Sequence, residues 1–584
     1  MTAPRSSIRA AARSLTPLPP PTGGVPIATA LRAALARGYG LSDLRADVLA
    51  GVVVGIVALP LSMALAVAVG APPQHGLYTS VVAGAVVALL GGCRFQVTGP
   101  TAAFVVVLAP VLNQHGLGGL LAAGLMAGVM LVLLGLARLG TLIQFVPHPV
   151  TTGFTTGIAT VIATLQLKDV FGLATGPMPD QYTDKLLTLW RARASASWAE
   201  FAVAALTLGL LLGVPRLTRR VPAPLIAIGV VTACVAVLHA TVPGFTVMTL
   251  GTRFHTLVNG VSVPGIPAIL PTPAWPFGEQ LTLGMVRELL PSAFAIALLG
   301  AIESLLCGVI GDGMTGTKHD PNAELVALGI GNILAPLFGG IAATGALART
   351  ATNIRTGARS PLAAATHAGV VLLSILLLAP LVAHVPMAAL AGLLLMVAWN
   401  MSEIHGFIGV LRVAPKSDVL VLLTCYGLTV LFDMVLAVSV GFVLAALLFM
   451  RRMAESVRIE QEVFDDDSDE DIKLPKSVLV YRVEGPFFFG AAEKLESTLE
   501  RVQLDVETVV IRLGRVPFMD ATGIHTLTEI IQRFRHRRVR VILCGIHDEL
   551  RITLDAAGIL ALVGEANICA SMRMVAERVA NGDV

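Results

Sequence analysis

Runs of mostly apolar residues, about 20 long as a bilayer-crossing helix requires, recur along the first three-quarters of the chain. They predict spans near 48–69, 77–91, 117–136, 150–167, 201–214, 222–243, 289–310, 324–338, 362–383, 385–399, 418–431 and 433–450. Two further stretches, near 99–112 and 343–353, are apolar at one end but too short to cross alone, and each follows a Gly-rich approach unsuited to a helix. Counted with the others, they bring the total to fourteen elements. After Arg452 the pattern shortens. Residues 460–472 form an acidic stretch that reads as a solvated linker. Ser477–Val483 then reads as a strand, Ala491–Val502 as a helix, Thr508–Leu513 as a strand, Ala521–Arg535 as a helix and Val539–Cys544 as a strand. Strands alternating with helices predict a small α/β domain. The expected layout is an N-terminal arm at 1–46, a membrane domain at 47–452, a linker at 453–474 and a soluble domain at 475–584.

Basic residues set the orientation, because Lys and Arg collect in short cytoplasmic loops. With the N-terminus inside, the inner loops hold Arg94, Arg138, Arg216/Arg219/Arg220, Lys318, Arg355/Arg359, Arg412/Lys416 and Arg451/Arg452. The short outer loops at 113–116 and 382–386 hold none. An even number of crossings returns the soluble domain to the cytoplasm.

Composition agrees with a membrane protein. Hydrophobic residues make up 55% of the 584 residues and charged residues 14%, against roughly 25% charged in a soluble domain. A net charge of +3, with no basic run interleaved with aromatics, excludes a nucleic-acid partner. The six cysteines are widely spaced and include no C-x-x-C pair, which argues against a disulfide framework or zinc site. The arm at 1–46 carries Arg5, Arg9, Arg13, Arg32, Arg37 and Arg45 and a Pro-rich run, with no apolar core of a signal peptide. No nucleophile–base pair, metal cluster or phosphate loop points to an enzyme or a cofactor.

The two short elements resemble each other. Gly91-Gly92-Cys93-Arg94-Phe95-Gln96-Val97-Thr98-Gly99-Pro100-Thr101 and Gly339-Gly340-Ile341-Ala342-Ala343-Thr344-Gly345-Ala346-Leu347 both run from Gly-Gly to Thr-Gly and then open a half-length helix. They are the third and tenth of fourteen elements, so they occupy matching places in two seven-element halves. Seven is odd, and the second half therefore enters the membrane inverted. Interrupted segments at matching places of inverted halves mark a transporter's midplane site. Each half-helix start carries free N–H groups and roughly +0.5 of a charge. Two such ends facing each other attract an anion, and the broken backbone survives at that depth only when enclosed by protein or a polar cavity.

Glu303 lies in an apolar run, nine residues before Asp312 and so ~13 Å deep at 1.5 Å per residue. A carboxylate there costs at least ~2.5 kcal/mol. Burial opposes its charged form, which suits it to carry a coupling proton; a protonated Glu bonded between helices is the alternative. Arg349, one turn beyond Gly345, either adds positive potential to the anion pocket, pairs with a carboxylate or snorkels to the inner surface. Lys168 and Asp169 close the fifth span and read as interfacial.

Three blocks identify the resemblance: Pro60-Leu61-Ser62-Met63-Ala64, Pro72-Pro73-Gln74-His75-Gly76-Leu77-Tyr78 and Thr98-Gly99-Pro100-Thr101-Ala102. Over nearly its whole length the chain resembles the SulP/SLC26 anion transporters, whose membrane part is followed by a STAS domain. The blocks Leu299–Cys307, Asp312–His319 and Met396–Glu403 are similar to the DauA-type C4-dicarboxylate transporters within that family. The resemblance implies a polytopic α-helical membrane protein of fourteen segments in two inverted seven-helix repeats, divided into a core bundle (elements 1–4 and 8–11) and a gate bundle (5–7 and 12–14). It further implies an anion held between Thr101 and Ala102 on one side and Gly345, Ala346 and Leu347 on the other, with Leu61 and Leu65 of the first helix alongside. Glu303 matches the acidic coupling position, and Arg349 matches an Arg present in some members. The implied activity is uptake of succinate-class anions with a proton, in a bacterial inner membrane, by a homodimer. Sulfate or bicarbonate transport, or an anion channel on the same fold, are the alternatives.

Two positions depart from the family pattern. Leu61 stands where many members have Gln, which removes one polar contact to the anion. Sodium-coupled bicarbonate members carry Asp and Thr where this chain has Glu303 and Cys307, and a thiol is a poor ligand for a hard cation. In the STAS-like part, Thr522 of Asp520-Ala521-Thr522-Gly523 matches a phosphorylatable Ser of bacterial anti-sigma antagonists; it reads as a regulatory site or as a simple helix cap. This part also suits a cytoplasmic protein partner.

Overall fold

The computed structural model describes residues 26–141, 146–176, 178–218, 221–258, 261–275, 282–432, 434–462, 474–488, 494–495 and 506–580. Arg5, Arg9, Arg13, Arg219, Arg220, most of the acidic stretch and most of the helix expected at 491–502 lie outside them.

Among the described residues, ten helices are long and apolar enough to cross a membrane. One of them, Ala102–Leu136, is two helices joined at Gly116, which sits at φ 67°, a conformation open to glycine. Three shorter helices complete the set. We number the fourteen elements α1 (Leu41–Val69), α2 (Pro73–Leu90), α3 (102–115), α4 (117–136), α5 (His148–Val170), α6 (Trp198–Leu217), α7 (Ala223–Thr241), α8 (Leu283–Thr315), α9 (Pro321–Leu337), α10 (Leu347–Thr356), α11 (Leu362–Val382), α12 (Met387–Met401), α13 (Lys416–Leu431) and α14 (Met434–Ser456).

Glycine sets the closest packing, because helices in lipid associate through small residues that let backbones meet. A Cβ on Gly128 of α4 would lie 2.7 Å from the Gly329 carbonyl of α9, and one on Gly329 would lie 2.6 Å from the Gly128 carbonyl. Gly51 and Gly55 of α1 meet α11 in the same way, through the Ala363 carbonyl and Val370. Gly153 and Gly157 of α5 meet Leu422, Cys425 and Thr429 of α13. Two groups result: α1 packs on α11, α4 on α9 and α8 on the α3–α4 pair, whereas α5 packs on α12 and α13, and α6 on α7 and α12.

At the N-terminal end of α1, Asp47 is fully buried. It accepts hydrogen bonds from Tyr39 Oη (2.7 Å) and from the Arg359 and Ser360 amides (2.6 and 3.1 Å). This pins the end of α1 to the turn that follows α10.

Between α7 and α8 the chain forms a helical turn at Leu250–Arg253 and pairs β2 (His255–Val258) antiparallel with β3 (Val261–Pro264). Gln74 Nε2 ties the α2 start to this pair through Thr256 Oγ1 at 3.0 Å.

The chain divides into two compact units, 1–442 and 443–584. The second holds a five-stranded sheet in the order β5 (Arg458–Glu462), β6 (Val478–Glu484), β7 (Thr508–Arg515), β8 (Arg540–Cys544) and β9 (Ile568–Cys569). β6 to β9 are parallel and β5 joins antiparallel. β5 corrects the sequence reading: 458–462, expected within the linker, is an edge strand. Its alternating charges are matched across β6, where Arg482 reaches Glu460 (3.2 Å) and Glu462 (2.7 Å). One sheet face carries the main core, including Val509, Ile511, Leu513, Leu527, Ile530 and Leu543.

Candidate functional site

Thr98-Gly99 and Thr344-Gly345 form strands β1 and β4, and the two pair with each other. Thr98 lies opposite Gly345 and Gly99 opposite Thr344, antiparallel. That self-complementary register is the signature of a two-fold relation between the halves. It places the starts of α3 and α10 side by side, and the Ala346 amide donates to the Val97 carbonyl at 2.8 Å.

Neither half-helix is capped by a side chain: Thr101 and Ala346 hold the cap positions in extended conformation with no side-chain bond to the first turn. The first-turn N–H groups therefore keep their capacity for an external acceptor. Thr101 and Ala102 are 8% and 6% exposed, Ala346 8% and Leu347 40%, so the α10 start opens most at Leu347. Leu65 is buried. Leu61 packs beside Leu211, Ala227 and Leu393, so it touches α6, α7 and α12 rather than only the first-half helices.

A polar scaffold that the sequence reading missed holds both segments. Glu324 of α9, 1% exposed, accepts from the Gly92 and Cys93 amides through Oε2 (3.0 and 2.9 Å) and from Gln96 Nε2 through Oε1 (2.7 Å). Gln96 Nε2 also reaches Ser304 Oγ at 2.6 Å. On the other strand, Asn332 bonds both backbone groups of Ala343 (2.9 and 2.8 Å). Thr344 Oγ1 donates to the Gly300 carbonyl at 3.0 Å. The available signal was polar residues inside or at the edge of apolar runs; Glu324 sat at the predicted start of a span and passed as an end residue.

Both glycines of the paired strands leave room for side chains that reach across them. A Cβ on Gly345 would lie 2.6 Å from Gln96 Nε2, and one on Gly99 would collide with Arg349 Nη1. Arg349 lies between the two paired segments and α1. At 1% exposure it does not snorkel, and among the described residues no carboxylate pairs with it. Its Nη2 donates to Ser62 Oγ and the Pro100 carbonyl, each at 3.2 Å, while Nε and Nη1 lack protein partners. The guanidinium is thus buried beside the start of α3 with two of its nitrogens lacking a hydrogen-bond partner among the described residues.

Glu303 is half-buried, and its Oε2 accepts from Thr101 Oγ1 at 2.9 Å. The carboxyl thus touches the residue that opens α3. Cys307, one turn on, donates its thiol to Thr350 Oγ1 at 3.2 Å, and that hydroxyl accepts from the Val97 amide at 3.0 Å. The sulfur is engaged with α10, not with Glu303.

Lys168 and Asp169, at the end of α5, line cavities, and Asp169 Oδ1 holds Arg253 Nη1 at 2.6 Å. Thr522 is exposed at the second position of the helix Ala521–His536. It is not the cap: Asp520 Oδ1 accepts from the Gly523 amide at 2.8 Å.

Family models match the chain in two places, the sulfate permease family over residues 44–425 and the STAS domain over 471–573. The "Putative sulfate transporter YvdB" of Bacillus subtilis is 39% identical over 91% of this chain and 96% of its own length. The bicarbonate transporter BicA of Picosynechococcus is 28% identical over 88% and 90%. Among solved structures, SLC26A9 superposes with a TM-score of 0.82 at 18% identity over 95% of this chain and 93% of that one, a likeness of fold. The BicA transmembrane domain gives 0.59 at 28% identity, over 68% and 98%.

Proposed function

The chain belongs to the sulfate permease family, the SulP/SLC26 anion transporters, and from that premise we propose that it takes up C4-dicarboxylates together with a proton. The anion lies between Thr101 and Ala102 and the Gly345–Ala346–Leu347 turn. Leu61 and Leu65 form the wall toward the gate helices, and Arg349 supplies fixed positive potential. The blocks Leu299–Cys307, Asp312–His319 and Met396–Glu403 support the dicarboxylate assignment.

The observation that carries the coupling is the hydrogen bond between Thr101 and Glu303. A charged carboxylate about 5 Å from a bound anion repels it by ~3 kcal/mol at an effective dielectric of about 20, more than a hundredfold in affinity. Protonating Glu303 removes that repulsion and turns its side chain from acceptor to donor, so proton and anion favour each other's binding. Rocking the core bundle against the gate bundle then carries both across. We assign the protein to the bacterial inner membrane as a homodimer with both ends in the cytoplasm, where Thr522 is open to a kinase and the STAS surface to a protein partner.

Proteoliposomes containing the full chain test this. An inward acid gradient drives radiolabelled succinate above its external concentration, which a channel cannot do. Glu303→Gln abolishes that accumulation but keeps gradient-independent exchange; accumulation that survives the substitution removes Glu303 as the coupling group. A second reading, sulfate, is favoured by the printed name of the Bacillus relative. Competition by succinate, fumarate, aspartate, sulfate and bicarbonate at equal concentration ranks the cargoes, and sulfate outcompeting succinate overturns the dicarboxylate assignment.

A further inference from the structure

A cavity of about 290 Å³ lies where the C-terminal ends of α1, α3 and α5 meet, on the face of the membrane domain away from Arg94, Arg138 and Arg359. Val105 lines it, only ~6 Å along α3 from Thr101 at 1.5 Å per residue. The inner wall of the cavity thus begins about one helical turn along α3 from Thr101.

Its charges do not cancel. Lys168, Lys185 and Arg253 face Asp169 and Asp180. Arg253 is held by Asp169, Lys185 Nζ donates to the Asp180 carbonyl at 2.8 Å, and Asp180 Oδ2 accepts from Gln114 at 3.1 Å. Lys168 is half-buried, and its ammonium makes no hydrogen bond or ion pair with any described residue. Gln166 lines the same cavity at 3% exposure, and its carboxamide has no hydrogen-bond partner among the described residues. Both side chains line this cavity, and an ammonium and an amide N–H are each donors suited to an oxyanion. A neighbouring cavity of about 660 Å³ shares Lys168, Asp169 and Arg253 but adds Glu200, so its charges balance and it is not the anion's place.

We propose that this cavity is a second anion site, at which Lys168 and Gln166 capture an incoming carboxylate or other oxyanion before it enters the midplane site. The inference rests on the transport reading above for its role, but not for the existence of the site.

Two measurements on the full chain separate these. In proteoliposomes, Lys168→Gln raises the half-saturating external succinate concentration about tenfold with the maximal rate within about twofold, and Lys168→Arg restores it. An unchanged half-saturation in Lys168→Gln, or a loss confined to the maximal rate, overturns the capture role. Equilibrium dialysis of purified protein against radioactive sulfate reads the site without transport. Two ions bind per chain, falling to one in Lys168→Gln; an unchanged number in a variant that elutes as wild type in gel filtration overturns the site. Absence of succinate accumulation in the wild type would overturn only the cargo assignment and leave the dialysis result to stand or fall alone.

Discussion

Arg349 is the residue whose energetics most constrain function. Burying an unpaired cation costs several kcal/mol, and two hydrogen bonds to Ser62 and Pro100 recover only part of it. A side chain kept for stability would not sit there unpaired. Arg349→Met is therefore expected to leave the unfolding temperature of the purified protein unchanged or higher while uptake falls by more than a hundredfold. A fall in unfolding temperature of roughly ten degrees would instead make Arg349 a structural post. Gly345 has the opposite balance. Its absent side chain leaves room for Gln96 Nε2, so Gly345→Ala forces the Gln96–Ser304–Glu324 network apart. Overpacking of this kind costs about 1–3 kcal/mol, and the expected result is a lower unfolding temperature together with lost uptake. Glu303 was legible in the sequence because a lone carboxylate in an apolar run stands out. Glu324 was not, because the partners that satisfy it, Gly92, Cys93 and Gln96, are more than 200 positions away.

At the scale of elements, close helix contacts and open ones predict different tolerances. Gly128 and Gly329 face each other's backbones, whereas Gly209 and Gly213 of α6 have open space where a Cβ would go. Gly128→Val should separate α4 from α9 and abolish both folding yield and uptake. Gly213→Ala should be neutral or improve helix stability by up to ~1 kcal/mol. Equal tolerance at the two positions, read from the gel-filtration profile and the unfolding temperature, would contradict this packing. The long spans were legible because lipid demands continuous apolar runs. The half-helices were legible through their repeated Gly-Gly and Thr-Gly marks. Their pairing was not: a two-residue ribbon between positions 98 and 345 is a long-range backbone match that leaves no periodic trace. β5 escaped for a related reason, since an edge strand of alternating charge reads as solvated until Arg482 is placed beside it.

At the scale of the whole molecule, the second unit has its own core and sheet, so its part after α14, residues 457–584, should fold alone. Cys544 and Cys569 lie in register on neighbouring strands, 2% and 1% exposed, and burial pushes the Cys569 thiol up from its ordinary value. In the excised unit neither thiol should react with a colorimetric thiol reagent until urea unfolds it, with reactivity and far-ultraviolet circular dichroism changing together. Rapid reaction of both thiols in native buffer would show that the sheet is not closed as described.

The paired Thr-Gly strands have a consequence for how such a carrier diversifies. In the cradle we propose, most donors are main-chain amides, joined by Arg349, its spacing is set by a ribbon of two residues, and its glycines make room for Gln96 and Arg349. Substitution cannot readily retune donors that belong to the main chain. Changes of cargo must then be made in the surrounding panels, at positions such as Leu61, Leu65 and Leu347, while the anion-holding frame is inherited intact. Sign of charge is thus fixed early in such a lineage, and the identity of the molecule bearing it can drift with a few changes of wall.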